Sequence, residues 1–97
     1  MKRRRLAPEV LEARRNALRQ QVREGRLTIG ETVREMRKLT GLTQKDYAEK
    51  VVGIFPRVLM DIERGAANPT LETLEKLAKP WGWSIGFVPP PELRGTD

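Results

Sequence analysis

The 97-residue chain contains no cysteine and no histidine. Without cysteine there is no disulfide and no thiolate zinc site, and without histidine the commonest general base and metal ligand is missing. No residue of nucleophilic type has a base placed beside it by any recognisable pattern. These gaps argue against an enzyme and leave no metal and no cofactor to expect. No uninterrupted apolar run approaches the ~18 residues of a membrane span. The opening Met1-Lys2-Arg3-Arg4-Arg5 is not followed by the apolar core of a signal peptide. A cytoplasmic, nucleoid-associated location with no membrane partner is the expectation.

What is present is charge. One third of the residues are charged, the apolar share is 38% before glycine is counted, and the length suits a single core. A thin core in a short chain often draws stability from a partner surface, because small domains bury a smaller fraction of their area. The net charge of +6 is unevenly placed: residues 1–25 hold eight of the nineteen Lys/Arg against three Glu. A concentrated positive segment attracts phosphate backbones by counterion release, whatever the base sequence. The alternative for the same segment is a solvated helix face.

Along the chain, residues 1–7 read as a basic tail and Pro8 suits the first turn of a helix. From Glu9 to about Arg23, Val10, Leu11, Ala17, Leu18 and Val22 recur at helical spacing, and the helix ends near Gly25. Thr28 and Glu31 form a capping-box pattern before a helix running to about Leu39, with Ile29, Val33 and Met36 expected inside. Gly41 breaks that helix. Thr43, with Asp46 three residues on, starts a short helix with inner face Tyr47, Ala48 and Val51, stopped by Gly53. Pro56 opens a third helix through Arg64, with Leu59 and Ile62 inward and Gly65 as its left-handed terminator. Asn68-Pro69-Thr70 turns into a fourth helix from Leu71, with Leu74, Leu77 and Ala78 buried and Pro80 as its end. Trp83, Ile85 and Phe87 alternate with Ser84, Gly86 and Val88, the period of a strand, and Pro89-Pro90-Pro91 stops it. Such a strand needs a partner to pair with.

Helix, tight turn and helix over residues 43–64, flanked by a helix on each side, is the arrangement that holds a recognition helix out from a small scaffold. Gly41-Leu42-Thr43-Gln44 with Ala48 and Gly53, Ile62-Glu63-Arg64-Gly65, and Asn68-Pro69-Thr70-Leu71 with Leu74 together resemble the lambdoid phage repressor and Cro family, the Xre family. The likeness covers about residues 28–80. It implies a mainly α fold: a lambda-repressor-like helical bundle with a helix-turn-helix at 26–80. To this the sequence adds a basic arm and amphipathic helix at 1–25, a short β-strand at 81–88 and a tail at 89–97. The resemblance also implies that Ala48 is small because two helices cross there, and that Arg37 and Glu63 form a partly buried scaffold salt bridge.

By the same likeness, Thr43 and Gln44 begin the helix that crosses the DNA backbone, with Lys45, Arg64 and Asn68 on the same side as phosphate contacts. Thr43 is also explained as a cap, and Lys45 as a solvated charge. Base reading falls to Pro56, Arg57, Met60 and Asp61. The Arg57 fork suits guanine O6 and N7, and Met60 suits a thymine methyl. Asp61 either accepts from cytosine N4 or orients Arg57 four residues earlier. Two features depart from the family pattern. Four residues, rather than three, separate Ala48 from Gly53, and Phe55 stands where a polar N-cap is usual.

The terminal strand resembles that of HipB-like antitoxins, which partner HipA-type kinase toxins. This implies a homodimer with Trp83, Ile85 and Phe87 in its interface, while Trp81 reads as a plug for the monomer core. The expected function is an autoregulating repressor of the antitoxin kind, binding a palindromic double-stranded operator and a cognate toxin. The alternative is a transcription adaptor resembling multiprotein bridging factors.

Overall fold

The computed structural model describes residues 6–90 and Glu92; residues 1–5 of the basic tail, and Pro91 and residues 93–97 of the terminal tail, lie outside the described residues. Pro8 takes the first position of α1 (Pro8–Arg23), where its missing N–H costs nothing. The apolar stripe of α1 is only partly used. Leu18 is buried against α2, Leu11 and Val22 are half-buried, and Val10 and Ala17 are exposed.

The helix α2 (Ile29–Thr40) starts on the capping box read from the sequence. The Glu31 N–H donates to Thr28 Oγ1 at 3.1 Å and the Thr28 N–H donates to Glu31 Oε1 at 2.9 Å, so two otherwise orphaned donors are satisfied. Val33 and Met36 are buried as expected, whereas Ile29 is 51% exposed. Ile29 occupies the first helical position, where a side chain leans back past the helix N-terminus. It therefore overhangs a groove beside the C-terminal segment and does not enter the core.

Thr43 caps α3 (Gln44–Asp46), its hydroxyl accepting the Asp46 N–H at 3.1 Å. The chain then continues as a π-helical segment, Tyr47–Val52. A π turn takes one residue more than an α turn, and this is how the fourth residue between Ala48 and Gly53 is absorbed. The Gly53 and Ile54 N–H groups both donate to the Ala48 carbonyl, at 2.8 and 3.0 Å. Gly53, at φ +82°, supplies the left-handed residue that closes the segment. The wider turn also moves the inner face by one position. Val52 is buried and Val51 only half so, a correction to the α-helical spacing that placed Val51 inside.

Leu59 and Ile62 of α4 (Pro56–Glu63) and Leu77 and Ala78 of α5 (Leu71–Ala78) complete the interior, with Leu74 packed at its edge. Thr70 caps α5 by accepting the Thr73 N–H at 3.2 Å. Tyr47 and Ala48, both fully buried, sit at the centre of the cluster. The Trp81 indole N–H donates to the Tyr47 hydroxyl at 2.8 Å, and the Arg15 guanidinium lies over the Trp81 ring. Trp81 thus ties α1 and the chain end to the core, as a plug should. Burial pushes the Tyr47 phenol above its usual pKa. Its hydrogen bond with Trp81 lowers it, nearby Glu63 raises it, and Arg37 lowers it.

After a short 3₁₀ turn, Lys79–Trp81, the expected terminal β-strand does not form. Residues 83–90 are irregular, and no strand occurs among the described residues. The alternating pattern is real, but a strand exists only through inter-strand hydrogen bonds, and no second strand lies beside it in the described chain. Among the described residues, no helix is long and apolar enough to cross a membrane.

Candidate nucleic-acid interface

The interface is built where α2 meets α4. The two helices cross at Gly30, where an added Cβ would lie 2.3 Å from the Ile62 carbonyl oxygen and 3.0 Å from that of Glu63. This approach brings Arg37 of α2 onto the last residue of α4. Arg37 Nε donates to Glu63 Oε2 at 2.8 Å and Nη2 donates to Glu63 Oε1 at 3.0 Å, while Nη1 donates to the Leu42 carbonyl at 3.1 Å. The side chains are 17% and 5% exposed. This is the scaffold salt bridge that the family likeness implied. Its two-pronged geometry fixes the angle of α4 against the turn that precedes α3.

Gln44 joins the same network, its Nε2 donating to Glu63 Oε1 at 3.1 Å. The side chain expected to grip phosphate is therefore half-buried and pre-oriented from behind. Thr43 is half-buried with its hydroxyl already used as a cap, and Lys45 and Asn68 are exposed.

Outward from this clamp, none of the described residues covers α4. The Arg57 side chain is 75% exposed, Met60 is 41% exposed and Pro56 is half-buried. Asp61 stands between two arginines. Arg64 donates to Asp61 Oδ1 from Nε at 3.1 Å and from Nη2 at 2.8 Å, and Arg57 Nε lies 3.4 Å from the same oxygen. Of the two roles open to Asp61, the orienting one corresponds to a contact present in the free chain. Arg57, Met60, Asp61 and Arg64 share one open cleft with Gln44, Arg37, Glu63 and Arg34.

Arg34 was not among the residues that the sequence singled out. No motif marks it, and only the arrival of α4 alongside α2 puts it on this cleft. Trp83, Ile85 and Phe87, expected at a dimer interface, lie elsewhere. Trp83 is half-buried with its ring 6.2 Å from that of Trp81, Ile85 is 43% exposed, and the Phe87 side chain is fully exposed.

The helix-turn-helix family model matches residues 33–80, the stretch from mid-α2 to the turn after α5. An uncharacterised HTH-type transcriptional regulator of Haemophilus influenzae is 34% identical over 73 residues, covering 72% of each chain. The chain belongs to the helix-turn-helix family of transcriptional regulators. The HTH-type regulator DdrOP3 of Deinococcus deserti is 44% identical over 55 residues, spanning 57% of this chain and 42% of that one. The immunity repressor of Bacillus phage phi105 is 37% identical over 62 residues, 64% of this chain and 42% of its own length. This helix-turn-helix chain thus spans less than half the length of those two relatives. No solved structure matches it.

Proposed function

We propose that the protein is a transcriptional repressor that binds a palindromic operator as a homodimer, placing the N-terminal half of α4 in the major groove. The observation that carries this reading is the state of α4. The helix is clamped from behind by Arg37 and Glu63, and its outward side, with Arg57 and Met60, is left open by the described residues. Arg57 suits guanine, Met60 a thymine methyl, and Asp61 holds Arg57 and Arg64 in place. Gln44, Thr43, Lys45, Arg64 and Asn68 would position the backbone, with Arg34 added to that set. The two relatives named as a regulator and as an immunity repressor support the regulatory half of the reading. The antitoxin form depends on a terminal strand, and that segment is irregular, so the repressor form is the one put forward.

Selection of bound sequences from a random duplex pool, followed by footprinting of the recovered site, tests the reading. A symmetric site should emerge, and Arg57→Ala should weaken it by roughly 5- to 150-fold, the span of a lost bidentate base contact. Lys45→Ala should weaken all sequences alike and lower the salt slope by about one unit. Binding without sequence preference would overturn base reading and favour the adaptor alternative.

A further inference from the structure

Arg57 apart, whose side chain stays 75% exposed, the polar groups around the open side of α4 are paired within the chain. Asp61 accepts from Arg64 and pairs with Arg57, and Gln44 donates to Glu63. Apolar side chains, by contrast, are open around the start of the helix. Phe55, one residue ahead of α4, is 79% exposed, Val58 is 37% exposed and Met60 is 41% exposed. Phe55, Pro56 and Val58 border one shallow hollow together with Thr73 and Lys76 of α5, and Met60 borders the arginine cleft. Phe55 makes no capping hydrogen bond through its side chain. The position gives up a polar N-cap, which costs about 1 kcal/mol, and gains a large aromatic group at the tip of the helix.

In a groove-entering helix the N-terminal residues reach the base edges. Of the features that base edges present in the major groove, only the C5-methyl of a pyrimidine is matched by an apolar side chain. We infer that Phe55 is a specificity-determining residue of this protein, selecting a 5-methyl pyrimidine, which is thymine in unmodified DNA, at a fixed position of each half-site. The inference rests on the groove-binding reading of α4. It goes beyond that reading in assigning discrimination to an apolar contact by a residue outside the helix. The exposed Arg57 follows Phe55 by two residues, and Lys76 borders the same hollow as Phe55, with Glu49 as its one acidic neighbour; this balance of charge suits a polyanionic duplex better than an apolar protein surface.

The test uses the full chain and duplexes carrying the site recovered by random selection. Each thymine is replaced in turn by deoxyuridine, which removes the methyl group and leaves Watson–Crick pairing intact. Besides a thymine read by Met60, one thymine per half-site should lose about fourfold in affinity when its methyl is removed, the scale of one buried methyl. Phe55→Ala should abolish that thymine-over-uracil preference while leaving the effect of Arg57→Ala in place. Replacing the same thymine's base pair by one with 5-methylcytosine should bind better than the same pair with cytosine. The uracil comparison changes only the DNA, so it holds whatever a substitution does to folding. A recovered site in which every thymine tolerates uracil, or one in which Phe55→Ala removes the thymine-over-uracil preference at no position, overturns the inference while base reading stands. If selection enriches no sequence, base reading itself fails, and the apolar tip then belongs to a protein contact.

Discussion

At the scale of single residues, the tightest constraint on the interface is a missing side chain. Gly30 sits in the first turn of α2, where glycine costs about 1 kcal/mol of helix propensity relative to alanine. The structure explains the choice, since a Cβ there would meet the backbone oxygens of Ile62 and Glu63. A backbone group cannot rotate away as a flexible side chain can, so α2 must lift off α4 and strain the Arg37–Glu63 clamp. Gly30→Ala should therefore destabilise the fold by roughly 1–3 kcal/mol, the cost of overpacking. That is a fall in melting temperature of roughly 5–15 °C for a domain of this size. Gly86→Ala, where an added Cβ has nothing within 4 Å, should leave the melting temperature unchanged. Equal behaviour of the two variants in a thermal melt would show that the α2–α4 approach is not under constraint.

Elements that the sequence marks by local chemistry were legible from it. Thr28 with Glu31, and Thr43 with Asp46, announce helix starts through hydrogen bonds spanning three residues, and both are present. The Arg37–Glu63 pair followed from the family likeness, and Phe55 was visible as an uncapped helix start. What depended on distant parts of the chain was not legible. Gly30 looks like a cost until α4 lies across it, Arg34 becomes part of the cleft only by tertiary packing, and the alternation at 83–88 carries no information on whether a second strand is present. The extra residue before Gly53 was visible as a count, but not as a π turn, because sequence periodicity assumes α spacing. That origin makes a prediction for the element. Deleting the exposed Glu49 restores three residues between Ala48 and Gly53 and brings Val52 four residues after Tyr47, the α-helical inner position. Regular i to i+4 bonds should then replace the π turn, and the variant should melt several degrees higher. A lower melting temperature would mean that the core packing requires the wider turn.

The described residues present one open helix of the kind proposed to read DNA, α4, and the largest Cα extent is 47 Å. A palindromic site needs two such helices about 34 Å apart, so the proposed function calls for a second copy. Away from the arginine cleft, a groove runs between the end of α1, α2, α5 and the C-terminal segment, bordered by Val22, Ile29, Met36, Leu74, Leu77 and Ile85. Beside it Phe87 is fully exposed, and Leu71 and Val88 are at least half exposed. A two-fold dimer in which each Phe87 enters the groove of the other copy would cover these side chains in pairs, since an isologous interface repeats every contact. Burying a phenylalanine contributes about 1.5–3 kcal/mol, and two of them about 3–6 kcal/mol. Phe87→Asp should then weaken self-association by at least a hundredfold and shift the sedimenting species from dimer to monomer. It should lower affinity for the two-half-site operator much more than for an isolated half-site, because the DNA-facing helix is untouched. A wild-type mass that stays monomeric at every concentration would remove the second copy, and with it the palindrome, while leaving half-site recognition by α4 open to measurement.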